Sequence, residues 1–82
     1  MAQQRQSRTQ GRFARQFSTC ISNVNYNPAA EELDVTFHNP SIGTWRYFGV
    51  QAYEAAALIE AGSRGEYFNQ YIRDRYNYIR IA

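Results

Sequence analysis

Leu33, Val35 and Phe37 alternate strictly with Asp34, Thr36 and His38, and this short run most constrains the fold. A period of two is the mark of a strand with one face buried and one wet. One such strand needs neighbours, and its surroundings supply them. Residues 19–26 form a first strand candidate, with Ile21, Val24 and Tyr26 as its apolar positions and an imperfect alternation. Asn27-Pro28 breaks it, because proline lacks an N–H and restricts the residue before it. The central strand covers residues 32–38. Asn39-Pro40-Ser41-Ile42-Gly43 is a turn cluster. Residues 44–50 form a third strand, with Trp45, Tyr47 and Gly49 on one face and Arg46, Phe48 and Val50 on the other. The simplest arrangement is an antiparallel meander.

The period then changes. Residues 52–61 are rich in Ala, Leu and Glu, strong helix formers. Ala55, Leu58 and Ile59 line one face, and Gly62 stands where a left-handed cap would end the helix. Ser63-Arg64-Gly65-Glu66 fits a capping box that opens a second helix over residues 64–76. Phe68, Ile72 and Tyr76, four apart, give it an apolar stripe. In residues 77–82, Tyr78 and Arg80 alternate with Ile79 and Ile81, so a short edge strand is favoured over a frayed end. The fold class is α+β: a three-stranded antiparallel β-meander packed on two C-terminal helices, with a fourth short strand as an addition.

A chain of 82 residues makes one domain at most and buries only ~60% of the surface its unfolded state exposes. Seven Tyr, five Phe and one Trp supply the bulk such a core needs. Residues 1–17 read as a disordered Arg/Gln-rich tail, and residues 18–82 as the folded domain. The tail holds Arg5, Arg8, Arg12 and Arg15 and no acid, too little apolar surface to offset its ordering entropy. Phe13 and Phe17, four apart, would allow one helical turn to dock. The domain sets five arginines against seven carboxylates, a balance of −2, so the basic character sits in the tail. No apolar run reaches the ~18–20 residues of a membrane span, and no apolar stretch follows the N-terminal charges as a secretory signal would require. The lone Cys20 excludes an internal disulfide and a cysteine-based metal site. A cysteine-poor small domain fits a reducing, cytoplasmic setting.

Catalytic chemistry finds little to use. His38 is the single histidine, on the polar side of a strand, and reads as structural; Cys20 reads as a buried, inert thiol. No acidic pair, phosphate loop or metal-ligand spacing appears, so the expectation is a non-catalytic module without cofactor. Trp45-Arg46-Tyr47 is the densest feature. Trp45 and Tyr47 share a face, either as a platform on which bases stack or as the core side of the strand. Arg46 points the other way. Arg64, Arg73 and Arg75 with Tyr67 and Tyr71 decorate the second helix, in a pattern suited to phosphate pairing and stacking on RNA or to a solvated face. The tail arginines would add an electrostatic arm. The alternative is a protein-interaction module, such as a phage or bacterial accessory protein that docks on a host protein.

Taken in order, these segments resemble the KTSC domain family, small domains found at the C-terminus of some lysyl-tRNA synthetases and as free-standing bacterial and phage proteins. The resemblance spans residues 18–81. Ser18-Thr19 with Ile21, Val24 and Tyr26 is similar to the family's first strand, and Leu33, Val35 and Phe37 to its second. Trp45-Arg46-Tyr47 falls on the family's central Tyr-x-Tyr motif, with Trp in place of the first Tyr. Ser63-Arg64-Gly65 with Tyr67-Phe68-Asn69 resembles its Ser-x-Gly-x-Tyr-Phe-Asn segment. Two departures stand out: a longer loop over 39–42, and Gln51 where the family commonly has Pro, which puts the start of the first helix in question. What the resemblance implies for function is RNA binding, by association with the synthetases.

Overall fold

The computed structural model describes residues 20–82; the expected tail, with Arg5, Arg8, Arg12 and Arg15, lies outside the described residues. Strands β1 (Ile21–Asn27), β2 (Glu32–Phe37) and β3 (Thr44–Phe48) form the expected meander. Strand β4 (Tyr78–Arg80) adds to β3, so the sheet runs β1-β2-β3-β4, antiparallel throughout. Helix α1 (Ala52–Glu60) and helix α2 (Arg64–Tyr67), which continues as a π-helical turn over Phe68–Ile72, lie between β3 and β4 in the chain. Their buried residues cluster with one face of the sheet: Leu33, Val35, Phe37 and Tyr47 meet Val50, Ala55, Leu58, Phe68 and Ile72. Phe68 is the centre of this core, edge-on to both Phe37 and Tyr47, a favoured arrangement for aromatic quadrupoles.

The imperfect alternation of β1 has a structural cause. The register slips between Ile21 and Asn23, so Ser22 is an extra residue, a β-bulge. Ile21 and Val24, an odd number of positions apart, thereby both pack on the core, together with Tyr26. The β1–β2 turn is set by Asn27, whose Oδ1 accepts from the N–H of Ala29 and Ala30, a local bond that asparagine offers readily.

The helices follow the pattern with three corrections. Helix α1 begins at Ala52 although Gln51 occupies the family's proline position; the Gln51 carbonyl accepts from Glu54 and Ala55 with no side-chain cap. Gly62 does not adopt the left-handed cap: Ala61 ends α1 in an extended conformation, and among the described residues the left-handed glycines are Gly43 and Gly49. The chain must be extended there because Ser63, itself extended, caps the next helix by accepting from the Glu66 N–H. The buried face of α1 is Glu54, Ala55 and Leu58, and Ile59 is exposed. Finally, the second helix does not run to Tyr76. The Arg73 N–H reaches back five residues to the Phe68 carbonyl, and the chain then leaves the helix.

Gly43 shows why β4 fits. With φ of 84°, it lies against the Ala82 carbonyl and the Arg80 side chain, and any Cβ there would overlap the carbonyl oxygen. Only glycine satisfies both constraints.

Candidate nucleic-acid interface

Strand β3 carries Trp45 and Tyr47 on the core side, as the register Val35↔Trp45 and Leu33↔Tyr47 requires. Their environments differ. Tyr47 is 4% exposed, boxed in by Phe68 and Tyr78, and burial pushes its phenol well above the ordinary tyrosine range. It is a core residue, so of the two readings of this pair the Trp45–Tyr47 stacking platform does not form: Phe68 covers the Tyr47 ring. Trp45 is only partly buried; its Nε1 donates to the Ile42 carbonyl at 2.6 Å. Its ring meets Tyr78 edge to face, centroids 5.6 Å apart. Tyr78 is 48% exposed. The accessible aromatic pair is therefore Trp45 and Tyr78, on adjacent strands.

One arginine flanks this pair. Arg80 lies opposite Trp45 in the register; its Nε donates to the Ala82 carbonyl at 2.8 Å and its Nη2 to the Pro40 carbonyl at 3.4 Å. Arg73, at the end of the π-helical turn, is held by Asn69 Oδ1 at 3.2 Å and by Asp74 at 3.4 Å.

The other sequence-expected residues are dispersed. Arg46 lies on the opposite sheet face, its fork closed on Asp34 at 2.9 and 3.0 Å, with Glu32 3.5 Å away. The hydrogen bond to Asp34 raises its pKa further. Its planar donors are thus engaged by a carboxylate, the competitor of phosphate for the same geometry. Arg64 is exposed and gives its Nε to the Ile59 carbonyl, bordering a shallow cleft with Ile21, Gly62 and Ser63. Tyr67 stacks obliquely on Tyr71, centroids 4.6 Å apart, and its hydroxyl is turned inward.

That hydroxyl reveals the feature the sequence reading missed. Glu54 is 4% exposed, and its two oxygens accept from Tyr67 at 2.5 Å and Tyr76 at 2.9 Å. Arg75 approaches to 3.9 Å. Bonding to Glu54, then burial, raises the Tyr67 phenol to about 12; burial, then the same carboxylate, raises Tyr76 to about 12. A buried carboxylate is tolerable only when hydrogen-bonded and paired. The available signal was spacing: Glu54 stands four before Leu58, on the buried stripe. Tyr78 and Arg80 were visible as one face of an alternating strand, but their meeting with Trp45 is a product of topology.

His38 and Cys20 are both exposed. The expectation of a buried thiol is corrected: Cys20 precedes the edge strand β1, outside the core, and its carbonyl accepts from the His38 N–H at the end of β2. Among the described residues, no group of three or more His, Cys, Asp or Glu is arranged to hold a metal ion, and no helix is long and apolar enough to cross a membrane.

This small α+β architecture, with its aromatic β3 and a Ser-capped second helix, defines a class: residues 17–76 match the KTSC domain family, and the chain belongs to it. Among solved structures, it is similar to a KTSC domain protein from Yersinia pestis, with 26% sequence identity and a TM-score of 0.71, covering 76% of this chain and 84% of that one. No curated protein matches.

Proposed function

We propose that the domain is a non-catalytic module that binds RNA or single-stranded nucleic acid. The observation that carries this reading is the Trp45–Tyr78 pair beside Arg80 on the β3–β4 surface. Accessible ring faces accept any base, and a neighbouring guanidinium pairs with the phosphate between two bases. The described part carries more acids than arginines, so long-range attraction comes from Arg5, Arg8, Arg12 and Arg15.

Fluorescence anisotropy with a labelled single-stranded RNA tests this. At about 50 mM salt the full chain binds, and affinity falls with salt by a log–log slope of about −3 from the four tail arginines. Tyr78→Ala or Trp45→Ala weakens binding about tenfold, a stacking loss of ~1–3 kcal/mol. Absence of binding at that salt overturns the reading. Arg46→Ala leaves binding within about twofold, because its fork is already closed on Asp34.

A protein-interaction reading is favoured by a different observation, the exposed Ile79 on β4 and Ile81 just beyond it.

A further inference from the structure

Among the described residues, the sheet has two edges, β1 and β4. They differ in kind. Strand β1 presents Ser22, Asn23, Asn25 and Asn27 to solvent and carries a bulge, both of which discourage pairing with another strand. Strand β4 presents Tyr78 (48% exposed), Ile79 (52%) and, just beyond it, Ile81 (39%).

The hydrogen-bond alternation of β4 specifies what its edge offers. The Phe48 N–H donates to the Asn77 carbonyl, and the Ile81 N–H to the Thr44 carbonyl. Antiparallel pairs alternate between bonded and non-bonded, so residues 77, 79 and 81 bond inward to β3. The backbone N–H and C=O of Tyr78 and Arg80 therefore point outward. Such groups form a template for another strand.

We propose that two copies of this chain pair edge to edge through β4, antiparallel about Ile79, joining their two sheets into one. The register is dictated by the outward groups. With Ile79 opposite Ile79 of the second copy, each Tyr78 faces the other copy's Arg80 as a bonded pair. This register alone uses both outward residues of both strands. A shift of one residue turns inward-bonded groups to the partner, and a shift toward the C-terminus sets Arg80 against Arg80, a like-charge clash. The side chains agree. Each guanidinium, already steadied by the Ala82 and Pro40 carbonyls, meets a Tyr78 ring, a cation–π contact. On the opposite face the two Ile79 side chains fall in a non-bonded pair, where side chains approach most closely. The edge is short, well under the ~800 Å² per partner of a standard interface, so the dimer has a dissociation constant of about 0.1–1 mM.

Sedimentation equilibrium of the full chain, nuclease-treated and free of nucleic acid, reads this directly and independently of the RNA proposal. A monomer–dimer equilibrium is expected at up to about 1 mM. Ile79→Lys, at a position outside the core, shifts it to monomer with an unchanged circular dichroism spectrum; Arg80→Pro, which removes both an outward N–H and the guanidinium that faces Tyr78 of the second copy, also shifts it to monomer. In a Cys20→Ser background, Ile79→Cys oxidises to a covalent dimer, since non-bonded partners stand about 4.5 Å apart, while Asn25→Cys on β1 stays monomeric. A chain that remains monomeric at about 1 mM, a dimer that survives Ile79→Lys, or preferential cross-linking through Asn25→Cys overturns the proposal.

Discussion

Glu54 and Asp34 are carboxylates of the same domain, each held by two donors, on opposite faces of one sheet. Glu54 lies under the helices, 4% exposed, gripped by two tyrosine hydroxyls. Asp34 lies on the far face, its side chain 17% exposed, gripped by the two arms of one arginine. The first arrangement joins three separate pieces of chain: α1, α2 and the segment after the π-turn. The second joins two neighbouring strands already tied by their ladder. Water competes for the second and is excluded from the first. Two carboxylates with two donors each thus have unequal consequences, set by burial, by the charge of the donors and by what else holds the partners together.

The comparison can be broken from the core outward. Phe68→Ala removes the ring that the covered face is built around, and should cost ~3–5 kcal/mol in urea unfolding; a cost below ~1.5 kcal/mol would mean that the face is not the stabilising one. Glu54→Ala strands two inward-facing hydroxyls, for an expected loss of ~2–4 kcal/mol, with Tyr67→Phe and Tyr76→Phe each costing ~1–2. Double mutants with Glu54→Ala should be far from additive. Arg46→Ala on the opposite face should cost no more than ~1 kcal/mol, since its partially exposed pair is solvent-screened. High salt should shrink the Arg46 effect and leave the Glu54 effect intact; equal salt sensitivity would erase the distinction. His38→Ala, at an exposed position, should fall within ~0.5 kcal/mol.

Alkali sharpens the contrast further. Tyr67 and Tyr76 have folded pKa values raised to about 12, against about 10 in an unfolded chain. Between these values the folded state holds protons that the unfolded state has lost, so stability falls as pH rises. Their contribution is fully present below about pH 10 and lost as pH passes through about 12. Melting temperature should hold up to pH 9 and drop above 10, less steeply in Tyr67→Phe.

The fold was largely legible because its signals were local. The Leu33–Phe37 alternation, the change of period at residue 52 and the Ser63 cap each act within a few residues, and they appear as read. The bulge at Ser22 appeared only as a fault in a pattern, since one extra residue reverses which side faces in. The site was less legible for a different reason. Trp45 and Tyr47 share a face in the sequence, but which of two rings is smothered depends on Phe68, some twenty positions away. Tyr78 entered the surface because β4 closes beside β3, and Glu54 became polar core because two tyrosines from a later segment reached it. These are long-range events that no period reports.

The Glu54 knot also has a consequence in time. The stretch from Arg73 to Ala82 is fastened to the rest of the fold at its start by Arg73 on Asn69, then by Arg75 and Tyr76 on Glu54, and at its end by the β4 ladder on β3, with Arg80 beside Gly43. Tyr76 anchors the stretch just ahead of β4, so loosening it loosens the strand that follows. Amide hydrogens along this stretch should therefore exchange as a single unit with a common opening free energy below that of the core. Tyr76→Phe should speed exchange at Ile79 and Ile81, residues it never touches, while leaving the β1–β2 ladder unchanged.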